Sequence, residues 1–467
     1  ACLIGLCIFG IRGRTGYNPI KVSAAYFCQD AFLNQLGVSP TFNLLTSVMD
    51  DMRPENKYLH LMDEQEAITK AQALLNRPGD ANVSPLAVYR HAAKADSVQQ
   101  RRPNVVLIMM ESMSAKFMKH FGQSETLTPF LDSLYTRSIS FRNFYSAGIH
   151  TNHGLYATLY SLPAMMKRNL MKGSVIPRYS GLPTVLKENG YYNLFFMTHE
   201  GQYDNMNAFF RTNGYDEVFS QEDYPADKVV NSFGVQDDFL YDYAIPVLNQ
   251  RAATGQPFFA TLLSISNHPP YVIPPFFHPK TSEPEMQIVE YADWALRQFF
   301  EEARKQPWFD NTIFVLEGDH GKLVGDAECE LPESYNHIPL MIYSSRIQPE
   351  EKTAFGGQVD IQPTILGLLN IDYLQNNFGV DLLKEERPCM FYTADNMVVG
   401  RNDTLLYLYN YETQQELTYD IGNGKLNAVP MDDSFLPLKE YSFSMLQSAE
   451  FLVKHGKTLN SIPFTQQ

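Results

Sequence analysis

The stretch TIFVLEGDHGK, Thr312–Lys322, decides the fold. Its apolar run stops abruptly at Asp319-His320. It reads as a buried parallel strand that delivers an acid and an imidazole together at its C-terminal end, where open α/β sheets place their ligands. A second apolar run, Asn104–Met110 (NVVLIMM), closes on Glu111 in the same way. Two buried strands that each end on potential metal ligands imply one shared site. Between them lies Gly148-Ile149-His150-Thr151-Asn152-His153-Gly154, polar and glycine-flanked, with a hydroxyl at its centre. Glu111, Thr151, Asp319 and His320 make a hard, mostly oxygen donor set for a divalent cation beside a nucleophile.

Outward from these runs, apolar strands alternate with amphipathic helices. Leu127–Ser138 has helical apolar spacing. A helix from Pro183 stops at Gly190 and gives way to a strand over Tyr192–Met197. Pro257–His268 reads as another buried strand ending in polar residues. Glu285–Gln306 carries a helical stripe of Ile288, Tyr291, Ala292, Leu296 and Phe299, and feeds the Thr312 strand. His337–Ser345 gives a further strand and Val359–Leu369 a closing helix. Such alternation predicts an α/β fold with a largely parallel sheet covered on both faces. After about Glu385 the pattern changes to short antiparallel strands with Asn-Asp and Gly-Asn-Gly turns, then a helix over Leu436–Lys454. Before the sheet, residues 11–100 hold helical patterns at Ala24–Leu36 and Asp63–Leu75, broken by Pro40, Pro54, Pro78 and Pro85, and Gln99–Pro103 closes the segment. The expected division is therefore a helical linker over 11–100 packed on the catalytic domain, a catalytic domain over 101–385, and a small-sheet and helix subdomain over 386–467.

The bulk chemistry narrows the function. A chain of 467 residues with 44% hydrophobic and 19% charged residues can bury a large core. A formal charge of −15 argues against a nucleic-acid partner, since neutralising phosphates takes clustered Lys and Arg. Anionic lipid headgroups would need a local basic patch to offset that field. Cysteines at 2, 7, 28, 329 and 389 show neither a CxxC spacing nor an even count, so no zinc knuckle or disulfide framework is implied. The apolar start, Ala1–Gly10, is shorter than the ~20 residues that span a bilayer and lacks the charged region of a signal peptide. With IRGR following, it reads as the end of a truncated transmembrane helix. The alternative is a short buried strand or helix.

At NVVLIMMES (104–112), the threonine of AGIHTNHG (147–154), SNHPPY (266–271), WFDNTIFVLEGDHG (308–321), HIPLMIY (337–343) and VDIQPTILGLL (359–369), the chain resembles the alkaline phosphatase/sulfatase superfamily. Within it, the likeness is to the lipoteichoic acid synthase-like branch of phosphoglycerol transferases. The resemblance implies an alkaline phosphatase-like sandwich with a small C-terminal sheet. It also implies Thr151 as nucleophile and Glu111, Thr151, Asp319 and His320 as ligands of one divalent cation, Mn²⁺ or Mg²⁺, with Zn²⁺ used by relatives. His268 matches a position thought to steady the transferred phosphate or protonate a leaving group. His337 is similar to a histidine of phosphoethanolamine transferases, where a second metal is bound. His199 ends a strand on the ligand-binding edge. Each histidine has the plainer alternative of a satisfied structural donor, and Thr151 that of a turn or N-cap.

Two departures qualify the likeness. Formylglycine sulfatases need Cys or Ser in a C/S-x-P-x-R context, whereas this chain has Thr151-Asn152-His153-Gly154-Leu155. Lipoteichoic acid synthases carry a Phe-Trp-Asn-Arg element, which here corresponds to Tyr203-Asp204-Asn205-Met206. An acidic Asp204 favours an amine-bearing headgroup or sugar hydroxyls over a bare anion. The expected activity is transfer of a phospho-headgroup, phosphoglycerol or phosphoethanolamine in type, from a phospholipid to a glycan, lipid or polymer through a phospho-threonine. The alternative is a phosphodiesterase or a phosphonate or sulfuric ester hydrolase. The resemblance places such a domain outside the cytoplasm (periplasmic or extracellular), held at the cell membrane by a preceding transmembrane region.

Overall fold

Alternate residues of one strand enter two different cores, and that alternation organises the molecule. Val105, Leu107 and Met109 pack on one side with Leu155, Tyr156 and Leu446. Val106, Ile108 and Met110 pack on the other with Leu131, Leu240 and Phe299. A strand apolar on both faces must be covered on both, which a parallel sheet between helix layers provides. The computed structural model of the chain describes residues 2–14, 19–28, 31–53, 57–75, 89–92, 102–173 and 176–460.

The main sheet has eight strands, in the order Glu217–Phe219, Tyr192–Met197, Phe258–Leu263, Asn104–Met110, Thr312–Gly318, Leu340–Tyr343, Ile139–Tyr145 and Glu350–Gly357. Leu340–Tyr343 runs antiparallel to both neighbours, and the other pairings are parallel. Helices Pro129–Tyr135, Asp237–Ala252 and Pro284–Ala303 cover one face. Thr151–Tyr160, Leu182–Glu188, Met206–Thr212 and Ile361–Leu368 cover the other. A separate five-stranded antiparallel meander follows over 390–428. Helix Leu436–Lys454 lies against it so closely that a Cβ at Gly400 would fall 2.7 Å from the Leu438 carbonyl oxygen.

Before the sheet, Glu64–Leu75 is a helix packed along Leu436–Lys454. Tyr89–Ala92 pairs antiparallel with Tyr373–Asn376. The helical pattern over Ala24–Leu36 resolves into a 3₁₀ turn, Val22–Ala25, and a helix, Ala31–Leu36, with residues 29–30 between them outside those described. Pro40 does not break a helix. It opens one, Pro40–Asp51, because a proline at the first helical position lacks only an N–H that would go unpaired anyway. Pro54, Pro78, Pro85 and most of Gln99–Pro103 lie outside the described residues. Cys2–Arg12 forms an eleven-residue helix whose Leu3, Ile4, Leu6 and Phe9 are exposed, so it is not a buried element. Among the described residues no helix is long and apolar enough to cross a membrane.

Candidate active site

Strand register brings the first two acids together. Met110 pairs with Gly318 in the parallel ladder, so the next residues, Glu111 and Asp319, leave the sheet side by side. Both are buried. Ser112 turns the chain sharply at φ 51°, and its N–H donates to Asp319 Oδ1 at 2.8 Å. The His320 N–H donates to the same oxygen at 2.7 Å. Asp319 Oδ2 is buried without a hydrogen-bond partner. His320 Nδ1 lies 2.7 Å from the Gly321 carbonyl. A carbonyl only accepts, so Nδ1 carries the proton and Nε2 presents its lone pair. That Nε2 is 3.7 Å from Glu111 Oε1 and 3.6 Å from Asp319 Oδ2. One donor atom from each of Glu111, Asp319 and His320 falls within 4.8 Å of the others. Burial, and then the adjacent Asp319 carboxylate, push Glu111 well above the usual carboxylate range. Two buried acids, an orphaned oxygen and an imidazole fixed in its ligating tautomer fit a divalent cation, the group that would relieve all three.

Thr151 is the first residue of helix Thr151–Tyr160, and its Oγ1 donates to Glu111 Oε2 at 3.4 Å. Three contacts set this helix against the strand that ends on Asp319. Gly154 lets the backbones touch, since a Cβ there would lie 2.3 Å from the Asp319 carbonyl oxygen. Thr158 Oγ1 donates to the buried Glu317 at 2.6 Å. Gln358 donates from Nε2 to the carbonyls of Gly318 and Asp319 and accepts from the Ala147 N–H.

A cavity of about 520 Å³ opens over these groups, lined among others by Glu111, Thr151, Asp204, His268, His320 and Lys322. Of the residues singled out from sequence, it gathers Glu111, Thr151, Asp204, His268 and His320. His268 Nδ1 lies 2.6 Å from the Pro269 carbonyl, and the ring tilts against Phe233 at 4.1 Å. Asp204 does not present the uncompensated charge its sequence suggested. Lys172 pairs with it at 2.8 Å, and Asn152 donates to it at 3.3 Å. His199 is buried behind Tyr203, ring to ring at 4.5 Å, and Tyr203 takes the cavity wall in its place. His337 also lies off the cavity wall. It stacks on Tyr145 at 5.1 Å with Nε2 2.8 Å from the Arg142 carbonyl, which commits that nitrogen away from a second metal. His150 pairs with Asp395 at 2.7 Å. His153, in the first turn of the Thr151–Tyr160 helix, is buried, and burial lowers it to about 3. Cys329 is a loop thiol donating to the Leu331 carbonyl.

Lys322, Asn267 and Tyr271 escaped the sequence reading. Lys322 Nζ donates to Asn267 Oδ1 at 2.8 Å and to the Tyr271 hydroxyl at 3.2 Å. Burial lowers it to about 8. A lysine two residues past an Asp-His pair, in so acidic a chain, was the available signal. Asn267 in turn donates to the carbonyls of Glu111 and Ser112, tying the SNHPPY turn to the loop after strand Asn104–Met110.

The sulfatase family model matches residues 103–371. Lipoteichoic acid synthase 2 of Bacillus subtilis is 24% identical over 315 residues, covering 61% of this chain and 47% of that protein. The chain thus spans about half the length of the curated relatives it matches. A crystal structure of an alkaline phosphatase superfamily protein from Vibrio parahaemolyticus superposes with a TM-score of 0.75 at 26% identity, over 86% of this chain and 98% of that one. The lipoteichoic acid synthase LtaP of Listeria monocytogenes follows at 0.67 and 19% identity, over 84% and 98%, and shares the fold.

Proposed function

The chain belongs to the sulfatase family, and on that premise we propose that it is a metal-dependent transferase that moves a phospho-headgroup from a phospholipid to a hydroxyl acceptor through Thr151. The observation that carries this reading is the hydroxyl of Thr151 resting 3.4 Å from Glu111 Oε2, beside Asp319 and His320. The likeness to lipoteichoic acid synthases supports a phosphodiester substrate. The absence of a formylglycine precursor at 151 argues against sulfate-ester chemistry by that route.

Glu111, Asp319 and His320, with Thr151 as fourth donor, would hold the cation. When bound, the cation supplies Lewis-acid charge that favours the threonine alkoxide and the phosphoryl oxygens. Thr151 Oγ attacks phosphorus and releases its proton to the open cavity. The Oγ–P bond forms and the bond from phosphorus to the diacylglycerol oxygen breaks. His268 holds its Nδ1 proton on the Pro269 carbonyl, so a proton taken up at Nε2 is the one it hands to the leaving oxygen. Lys322, steadied by Asn267 and Tyr271, faces the non-bridging oxygens. An acceptor hydroxyl on a glycan, lipid or growing polymer then attacks the phospho-threonine, and Oγ recovers a proton as it leaves. We place this chemistry in residues 101–385, outside the cytoplasmic membrane.

Intact mass after incubation with Mn²⁺ and mixed phospholipids tests the reading, wild type beside Thr151→Ala. A headgroup-phosphate adduct on wild type alone is expected, and its mass names the headgroup. Turnover that survives in Thr151→Ala removes the central claim. Free headgroup phosphate without an adduct makes the protein a hydrolase.

A further inference from the structure

Helix Pro40–Asp51 is folded inside out. Its polar Asn43, Thr46 and Ser47 are half-buried against the protein. Its apolar Leu44, Leu45 and Met49 face away, 65, 60 and 63% exposed, with Phe42 and Val48 alongside. At 100° per residue these five positions fall in one arc of about 160°, which Met52 continues just past the helix. A surface helix in water turns the other way, and an uncovered apolar arc of this size marks a contact surface. The arc is part of a larger concentration. Among the described residues, sixteen of the twenty-one exposed large hydrophobic side chains lie between Leu3 and Leu74.

The charge distribution says what covers it. Residues 1–60 carry five Lys and Arg against four Asp and Glu, in a chain whose net charge is −15. A groove of about 320 Å³ runs along the helix, with Ile20, Phe42 and Met49 as apolar lining and Lys21, Arg53 and Lys172 as basic lining. Lys21 and Lys172 stand close enough that, after burial, their mutual repulsion lowers the Lys21 pKa, against the opposing pull of Asp204 and Glu200. The groove lining holds three cations and no Asp or Glu, although Lys172 among them pairs with Asp204 beside it; it is the local basic patch that an anionic surface would require of so acidic a protein. A second copy docked by a two-fold axis through this groove would bring two such sets of cations together. A bilayer offers phosphates to the cations and acyl chains to the arc.

The groove also abuts the cavity. Asp204, at φ 46°, lines the catalytic cavity, and the next residue, Asn205, at φ 66°, lines the groove. Lys172 lines the groove while its ammonium pairs with Asp204.

We propose that helix Pro40–Asp51 lies in the headgroup layer of a phospholipid bilayer, apolar arc downward, so that groove and catalytic cavity open together onto the membrane surface. A twelve-residue helix of this kind is too short to span and has the amphipathic character of an interfacial one. The assignment rests on the reading of the donor as a phospholipid, but its test does not need turnover. The full chain is floated with vesicles of phosphatidylcholine and phosphatidylglycerol, beside Leu44→Glu/Leu45→Glu. Both side chains are more than half exposed and line neither the groove nor the cavity, so the variant keeps the wild-type unfolding midpoint and its turnover of a small soluble phosphodiester. Wild type co-floats, and the variant loses about tenfold or more of its vesicle affinity, the loss expected from withdrawing two apolar side chains from lipid. Equal flotation of the two proteins, or no flotation of wild type, overturns the proposal. So does a wild-type dimer in sedimentation that Leu44→Glu/Leu45→Glu dissolves, which would assign the arc to a second copy. Flotation without a headgroup adduct on Thr151 would leave the docking standing and remove the lipid-donor reading instead.

Discussion

At the scale of single residues, the site concentrates negative charge where the proposed phosphodiester would bind. Glu111, Asp319 and Asp204 all belong to it, and Lys172 already compensates Asp204. Lys322 is the one Lys or Arg among the described residues lining the cavity, and Glu285 on the same wall stands 3.9 Å from its ammonium. Lys322 donates to two neutral partners, Asn267 and Tyr271, and lies over the rings of Phe117 and Tyr271 at 5.3 and 4.8 Å. Hydrogen bonds to a charged group are worth about 1.5–3 kcal/mol. Lys322→Met should therefore raise KM for a soluble phosphodiester about tenfold or more, with a smaller change in kcat. Steady-state kinetics of the metal-loaded enzyme reads the split. A fall in kcat at constant KM would show that the lysine acts only as charge develops in the transition state.

At the scale of elements, the site is the meeting of one strand end and one helix start, and Gly154 sets their distance. A methyl group there would overlap the Asp319 carbonyl oxygen at 2.3 Å and crowd Gln358 Nε2 at 3.0 Å. Neither neighbour yields easily, because the first is backbone and the second is bonded to three backbone groups. In Gly154→Ala the helix must back away, carrying Thr151 from Glu111. A misplacement near 1 Å costs about a hundredfold in rate, so adduct formation on Thr151 should slow by that factor while the protein stays folded. An unchanged rate would mean that Thr158–Glu317 and Gln358 fix the helix without the close contact. The strands that end on Glu111 and Asp319 were legible because each is apolar on both faces and breaks sharply at its ligands. The helix that carries Thr151 was not, since Thr151–Gly154 is polar and its apolar residues are buried all round, without an amphipathic stripe. Strand Ile139–Tyr145 hid behind Arg142 and Asn143, which interrupt its apolar run at the bulge between Phe141 and Asn143. Helix Asp237–Ala252 was masked by its internal Pro246. His199 and His337 illustrate a limit of position alone: both stand near strand ends, yet Tyr203 and the Tyr145 stack fill the space in front of them.

At the scale of the whole molecule, distant parts of the chain converge on Glu450 in the C-terminal helix. Its Oε1 accepts from Arg168 at 2.9 Å, and both side chains are buried. Its Oε2 accepts from the Leu59 N–H at 3.2 Å. One turn earlier, Gln447 accepts from the Leu61 N–H at 2.7 Å. A single helix face thus clasps the segment leading into Glu64–Leu75 and the loop that follows the nucleophile helix. Such a clasp has no local signature, because its partners lie 282 and 391 positions apart. Burial pushes Glu450 up, and Arg168 opposes that shift, so the pair holds together by mutual compensation in a poorly solvated place. Removing one member strands the other. Glu450→Ala should cost about 3–5 kcal/mol in urea unfolding, the range for an orphaned buried charge. Arg168→Met added to it should recover most of that loss, because an apolar side chain can occupy the site without a partner. The double-mutant cycle separates charge from packing. If Glu450→Ala alone stays within about 1 kcal/mol of wild type, solvent reaches Arg168, and apolar packing of Ala67, Ile68 and Ala71 against the C-terminal helix carries the clasp instead.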